Sequence, residues 1–424
     1  MDNQYLLHTP EGVRDSYGLE YARKETVQKR ISHVMRLYGY GNIQTPMFEF
    51  FDIFSKERGS VESRKLFQFF DREGNTLVLR PDITPSIARC VAKYYMDEEM
   101  PVRLSYCGNT FINDFCYQGR LKENTQMGAE LIGDGTADAD GEMLAVLIDG
   151  LIEAGLKEFQ VEIGHVDFFN GLMEEAGLCE EDKRALRILI EEKNYFGVEE
   201  LLSKKDITEE QKESIIKIPQ TFGTVQCLEE AKEMTKNQTA LTALSHLEKI
   251  YHILSVYGLQ AYVTFDLGML GKYDYYTGII FKAYTYGMGE AVATGGRYDK
   301  LLVQFGKDSP SVGFAINVDA LMNSMNRQKI EIDTGSLGTI LLYDSTQREL
   351  AIRLASILRG QGTSIQLMGL QGGKTLEDYL ALAKRSEIGG ILYVDKTGKQ
   401  VEIRNVLDGS KNQVSMETFM DSRA

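Results

Sequence analysis

Apolar positions recur at helical spacing from about Leu19 to Tyr38, with Val27, Ile31, Val34 and Met35 on one stripe. Gly39 and Gly41 end that helix, and the chain turns into an extended piece from Ile43 to Pro46. The aromatic-rich run from Met47 to Phe54 follows a proline, which a central strand does not tolerate, so it suits an edge or a subunit contact. Leu77-Val78-Leu79 predicts a buried strand. After it, Thr84 is placed as N-cap and Pro85 at the first position of a helix to about Tyr95. Val102 to Cys107 and Gln126 to Ile132 predict paired strands around a polar hairpin, then a helix from Ala139 to Ala154 and a strand from Phe159 to Val166. From Asn170 to Tyr257 the pattern is helical and charged, without a strand signal. Strands resume at Tyr262 to Asp266, Tyr276 to Tyr284, Ala291 to Thr294 and Val312 to Asn317.

Consecutive strands without crossover helices point to an antiparallel sheet, and the helical block from about 170 to 257 reads as an insertion in it. The polar stretch from Asn326 to Leu337 reads as a linker. Beyond it the period changes: strand (Thr339 to Tyr343), helix (Arg348 to Arg359), strand (Ser364 to Met368), helix (Leu376 to Lys384) and strand (Gly390 to Val394). A last strand pair spans Val401 to Val406 and Gln413 to Met416. The expected class is therefore α+β: a sheet domain over 1–325, a linker over 326–337 and a small α/β domain over 338–424.

Composition narrows the function classes only modestly. The 424 residues are 43% hydrophobic and 26% charged, ample for two cores. No apolar run approaches the roughly 20 residues of a membrane helix, and the N-terminus lacks the basic-then-apolar order of a secretory signal, so a cytoplasmic protein is expected. Cys90, Cys107, Cys116, Cys179 and Cys227 are odd in number and widely spaced, which supports neither a disulfide framework nor a zinc site; no metal is expected. The net charge of −15, without a basic stripe, counts mildly against a nucleic-acid partner. Gly369-Leu370-Gln371-Gly372-Gly373-Lys374-Thr375 has three residues between Gly369 and Gly373 where a phosphate-cradling loop needs four, so it reads as a glycine-rich turn.

Five segments are more informative together than apart: Leu79-Arg80-Pro81-Asp82-Ile83-Thr84, Gly108-Asn109-Thr110-Phe111-Ile112, Gln126-Met127-Gly128-Ala129-Glu130, Tyr273-Asp274-Tyr275-Tyr276-Thr277-Gly278 and Gly295-Gly296-Arg297-Tyr298-Asp299. With Gly12-Val13-Arg14-Asp15 and the proline-bearing piece around Pro46, their order and spacing resemble histidyl-tRNA synthetase, a class II aminoacyl-tRNA synthetase, over the first 325 residues. That resemblance implies an antiparallel sheet flanked by helices, and it makes Thr339 to Met416 similar to an anticodon-binding domain.

The resemblance also implies a histidine pocket. Carried over by position, Asp82, Thr84 and Gln126 would hold the ammonium group, Glu130 and Tyr275 would pair with the imidazole nitrogens, and Tyr276 would line the ring. A carboxylate at each end suits a ligand that is cationic at one end and carries ring N–H groups at the other. Asp82 stands where the family has a longer glutamate. Taken singly, each residue has a plainer role as a helix cap, strand core or solvated side chain; taken together at matching spacing they favour a pocket.

The arginines with which the synthetases stabilise the α-phosphate of ATP are missing. Their positions hold Ile112, Gly271 and Ala320. Losing one preorganised donor can cost about a hundredfold or more in rate, so losing three should abolish adenylation. Lys272 adjoins Gly271 but points to the opposite face of a strand, and Arg120 and Lys122, candidate donors for the α-carboxylate, read first as solvated loop residues. A retained amino-acid pocket beside a disarmed ATP site resembles the regulatory subunits of ATP phosphoribosyltransferase, a non-catalytic branch of the same family. That resemblance implies no catalytic residues and no cofactor, and a subunit needed for the first step of histidine biosynthesis and its feedback control by histidine. It also implies a homodimer joined to a short-form catalytic subunit in a hetero-octamer. The alternatives are an active histidyl-tRNA synthetase and a stand-alone histidine sensor.

Overall fold

The computed structural model describes residues 7–54, 61–114, 121–270, 276–335 and 338–421. The chain forms two compact units, one of Met1–Asp15 with Val27–Glu331, the other of Ser16–Thr26 with Ile332–Ala424.

The helix α1 (Gly18–Leu37) runs from the second unit's Ser16–Thr26 into the first, and its buried residues, all in the first unit, are Val27, Ile31, Val34 and Met35, the stripe the spacing predicts. Next come the two-residue β1 (Gly41–Asn42), β2 (Phe48–Phe50), β3 (Gln68–Phe70), β4 (Thr76–Leu79), α2 (Thr84–Tyr94) and two long strands, β5 (Val102–Phe111) and β6 (Glu123–Ile132). Then follow α3 (Ala137–Ala154), β7 (Phe159–His165) and α4 (Val166–Glu175). The insertion continues as α5 (Glu180–Glu191), α6 (Tyr195–Ser203), α7 (Glu209–Lys217), β8 (Phe222–Gly223), α8 (Gln226–Glu233) and α9 (Gln238–Val256). The unit ends with β9 (Val263–Asp266), β10 (Ile279–Thr285), β11 (Ala293–Arg297), β12 (Ser311–Asn317) and α10 (Val318–Arg327).

The main sheet has nine strands in the order β1-β5-β6-β12-β11-β10-β7-β9-β8. Its centre is antiparallel, whereas β1 runs parallel to β5 and β9 parallel to β7. The expectation of an antiparallel sheet is thus corrected at its flanks: the stretch from β2 to α2 joins β1 to β5 and the insertion joins β7 to β9, the long crossovers that parallel pairing requires. The insertion also contains one short strand, β8, paired with β9. Leu77, Val78 and Leu79 form a strand as expected, but in a separate three-stranded sheet of order β2-β4-β3.

Alternation along the strands gives the main sheet two unlike faces. Behind it Ala129, Leu131, Val312, Phe314, Phe281 and Ile163 are buried, with α3 packing on β6 and β12, and α9 on β7. Each large apolar side chain so buried contributes roughly 1.5–3 kcal/mol. The front face carries Gln126, Gly128, Glu130, Gly313 and Gly296. Its glycines leave room at the middle of the sheet for the side chains of Glu130, Tyr276 and Tyr106 to lie close over the backbone.

The second unit contains β13 (Thr339–Tyr343), α11 (Arg348–Gly360), β14 (Ile365–Gly369), α12 (Leu376–Arg385), β15 (Gly390–Val394), β16 (Gln400–Asn405), β17 (Lys411–Ser415) and α13 (Met416–Asp421). Its sheet order is β14-β13-β15-β16-β17, parallel through β14, β13 and β15 and antiparallel beyond. The glycine-rich turn ends at Gly373 in the left-handed region (φ 82°). There the Asp378 carboxylate accepts from the Thr375 backbone N–H at 2.8 Å and starts α12.

Among the described residues no helix is long and apolar enough to cross a membrane. Among them, too, no group of three or more His, Cys, Asp or Glu side chains could hold a metal ion.

Candidate functional site

The strand pairing brings Glu130 to the centre of the site. Glu130 on β6 stands opposite Gly313 on β12, which stands opposite Gly296 on β11. A Cβ at Gly313 would overlap the Glu130 carboxylate, and one at Gly296 would lie 2.7 Å from the Tyr276 ring. The two glycines therefore make the space that the glutamate and the aromatic ring occupy.

The Glu130 carboxylate is 1% exposed. Thr84 donates its hydroxyl to Oε1 at 2.7 Å, and Tyr298 donates its hydroxyl to Oε2. Burial pushes the carboxyl up to about 8; the bonds from Tyr298 and Thr84 pull it down, and the Asp82 charge pushes it up again. Near neutral pH the group is mainly protonated. Burial also raises the Tyr298 and Tyr106 hydroxyls well above the ordinary phenol value, with Glu130 the next cause for both. The buried cluster thus holds two neutral phenols and a carboxyl group that gains or loses its proton near physiological pH.

Thr84 does not cap α2, contrary to the expectation. Ile83 occupies the cap position without a side-chain bond, and Thr84 lies inside the first turn with Pro85. Its hydroxyl is engaged by Glu130 instead, where it satisfies a buried acceptor that would be costly to leave unmade. Asp82, just before the helix, accepts from the Thr84 N–H at 3.4 Å and approaches the Gln126 side-chain amide at 3.5 Å. The Gln126 Oε1 atom is buried and has no hydrogen-bond partner among the described residues. A buried acceptor left unmade is costly, on the order of 1–3 kcal/mol, so it is suited to receive a donor from a ligand.

Of the six residues singled out from the sequence, Asp82, Thr84, Gln126, Glu130 and Tyr276 converge on this part of the front face. Tyr275 lies outside the described residues, as do Gly271, Lys272 and Arg120. Tyr276 precedes β10 instead of starting it. Sequence reasoning missed Tyr298 and Tyr106 as members of the site. Tyr298 stands in the glycine-rich segment already singled out, two residues after Gly296, and that position was the available signal.

Two of the three former arginine positions are described. Ile112 follows the end of β5, with its N–H on the Lys122 carbonyl at 2.8 Å, and Ala320 lies in the first turn of α10. Neither side chain carries charge. The nearby Arg80 is spent on scaffolding. It is buried and donates to the carbonyls of Asn109 (2.9 Å) and Thr45 (2.9 Å), fastening β5 to the segment before β2.

Comparison with known proteins bears on the family and the fold. The family model described as Histidyl-tRNA synthetase matches residues 12–321. An ATP phosphoribosyltransferase regulatory subunit from Acetivibrio thermocellus is 39% identical over 98% of this chain and 99% of its own. One from Ruminiclostridium cellulolyticum is 37% identical over 99% of this chain and all of its own (100%). Among solved structures, an ATP phosphoribosyltransferase regulatory subunit/histidyl-tRNA synthetase from Bacillus halodurans superposes with a TM-score of 0.81 at 34% identity, covering 92% of this chain and 97% of the other. A histidyl-tRNA synthetase from Nostoc reaches a TM-score of 0.82 over 98% of both chains at 17% identity, which speaks to the fold alone.

Proposed function

Because the chain belongs to the ATP phosphoribosyltransferase regulatory subunits, a branch of the histidyl-tRNA synthetase family, we propose that it holds histidine on its front sheet face and regulates a separate catalytic phosphoribosyltransferase. The observation that carries this reading is the buried Glu130 carboxyl fixed between Thr84 and Tyr298. Imidazole titrates near pH 6.5 and presents one donor and one acceptor when neutral. A carboxyl group poised near 8 either donates to the acceptor nitrogen or passes its proton across and holds the imidazolium. At the other end, Asp82 and the unpartnered Gln126 Oε1 supply acceptors for the ammonium group. Thr84 sets the Glu130 rotamer, Tyr276 covers the ring, and Tyr275 is the second imidazole partner by resemblance.

The chain performs no adenylation. Ile112 and Ala320 offer no charge to a triphosphate, so binding of the amino acid is uncoupled from ATP chemistry. Histidine acts instead as an effector, shifting the subunit between states only as far as its affinities for them differ. The partner is a short-form catalytic subunit. The homodimer forms over the small sheet, where Phe48, Phe50 and Phe70 are 53%, 56% and 72% exposed, more apolar surface in one place than a lone subunit usually shows. Two dimers of each kind make the hetero-octamer. Residues 1–325 form the synthetase-like domain, 326–337 the linker and 338–424 the small domain, and the complex works in the cytoplasm without a nucleic-acid partner.

Calorimetric titration with histidine tests the pocket. Heat of binding in the wild type and its loss in Glu130→Ala are expected; no heat, or heat retained by the variant, rejects it. Histidine-dependent ATP–pyrophosphate exchange is expected to be absent, and measurable exchange would restore the synthetase reading.

A further inference from the structure

Behind the sheet, on the side away from the pocket, lies a second polar cluster. Asp140 on α3 is wholly buried. Its Oδ1 accepts from Arg297 Nη2 at 2.6 Å and Nε at 3.0 Å, and its Oδ2 lies 2.7 Å from His246 Nε2. Arg297 is 5% exposed and also donates to the Asp134 carbonyl at 3.1 Å and to Asp299 at 3.2 Å. The His246 ring meets the edge of His165 at 5.6 Å. His165 caps α4 by accepting from the Asp167 N–H at 3.2 Å, and its own proton affinity is pushed down to about 3, by burial first and the His246 charge second.

Arg297 is the last residue of β11, and its side chain lies behind the sheet. The next residue, Tyr298, points to the front, where its hydroxyl holds Glu130. The Arg297 carbonyl accepts from the Thr277 N–H at 2.8 Å, and the Asp299 N–H donates to the Thr277 hydroxyl at 3.0 Å, so the chain carrying Tyr276 is tied to the same anchor. Asp299 in turn accepts from the Ser311 N–H at 2.9 Å at the start of β12. One buried ion pair therefore fixes two side chains of the front face through the backbone between them. His246 and His165 place that ion pair in contact with α9 and α4, both helices of the insertion or its base.

We propose that Asp140 and His246 are positioning residues for the histidine pocket: they hold Arg297 behind the sheet so that Tyr298 and Tyr276 keep their places in front, and the helical insertion bears on the pocket through this clamp. The idea rests on the pocket reading above. Movement of α9 would lengthen the His246–Asp140 contact, loosen Arg297 and let the Tyr298 hydroxyl leave Glu130. The groups facing His246 are Asp140 from α3, Arg297 from β11 and His165 from the end of β7.

A double-mutant cycle on the full chain tests the clamp without requiring histidine. His246→Ala and Tyr298→Phe lie on opposite faces of the sheet without a direct contact, so unlinked residues should give additive shifts in the urea midpoint. The clamp predicts that the double variant shifts by clearly less than the sum. It also predicts that His246→Gln, which keeps a donor for Asp140, restores most of the wild-type midpoint. Additive shifts would overturn the proposal, as would a His246→Gln variant no better than His246→Ala. Titration with histidine adds a second reading: His246→Ala should weaken binding about tenfold and His246→Gln less than threefold. Unchanged affinity in His246→Ala overturns the clamp, whereas a wild type that binds no histidine counts against the pocket alone, since the cycle still reads the clamp.

Discussion

Replacing Glu130 with glutamine keeps the shape of the buried side chain and removes its titration, which isolates the energetic consequence of placing a carboxyl group there. Glu130 is fully buried, and its proton affinity is pushed up to about 8 from an ordinary 4.5, burial being the main cause. A group whose folded value is raised binds more protons in the folded state than in the unfolded one between those two values. Its stabilising contribution is therefore complete below about pH 4.5, falls as pH rises, and is lost once pH passes about 8. At ~1.36 kcal/mol per pH unit, the wild type should lose on the order of 5 kcal/mol over that window that Glu130→Gln does not lose. Urea unfolding of both proteins at intervals from pH 5 to pH 9 measures this, because every other titrating group is common to the two. The difference between the curves should open steadily and level off above pH 8. Parallel curves across the whole range would show that Glu130 is not a buried, proton-binding group and would refute the reasoning.

Gly313→Ala places a methyl group on the Glu130 carboxylate; overpacking should cost about 1–3 kcal/mol and abolish the heat of histidine binding, and retained binding would show that the carboxylate lies elsewhere. Arg80→Met strips donors from the Asn109 and Thr45 carbonyls at 2.9 Å each, so thermal unfolding should report a loss of about 3 kcal/mol, and an unchanged midpoint would deny its scaffolding role. In the small unit, Asp378→Ala removes the acceptor for the Thr375 N–H at 2.8 Å; about 1 kcal/mol should be lost, with faster hydrogen exchange confined to the first turn of α12, and unaltered exchange there would contradict the cap.

Much of the architecture is legible in local pattern. The α1 stripe predicts the four residues that are buried on it, and the alternation after Leu337 predicts the α/β order of the small unit. Features set by distant partners are not legible in this way. β1 and β8 are two residues long and exist only because β5 and β9 offer them edges. Thr84 has the local look of a helix cap, and only the fold brings Glu130, 46 residues away, within 2.7 Å of its hydroxyl. Asp140, Arg297 and His246 are likewise far apart in sequence, the first two separated by 157 positions, and no spacing rule joins them. The candidate site was visible as a set of short segments whose order resembles one family. The roles of Tyr298 and Gly313 within it required the strand register.

The most direct test is reconstitution with a short-form catalytic phosphoribosyltransferase, following phosphoribosyl transfer to ATP with and without histidine. The purified pair should be active and inhibited by histidine, and a pair carrying Glu130→Ala in this chain should be active but insensitive. A catalytic subunit whose activity is indifferent to this chain, or histidine inhibition that survives Glu130→Ala unchanged, would contradict the assignment.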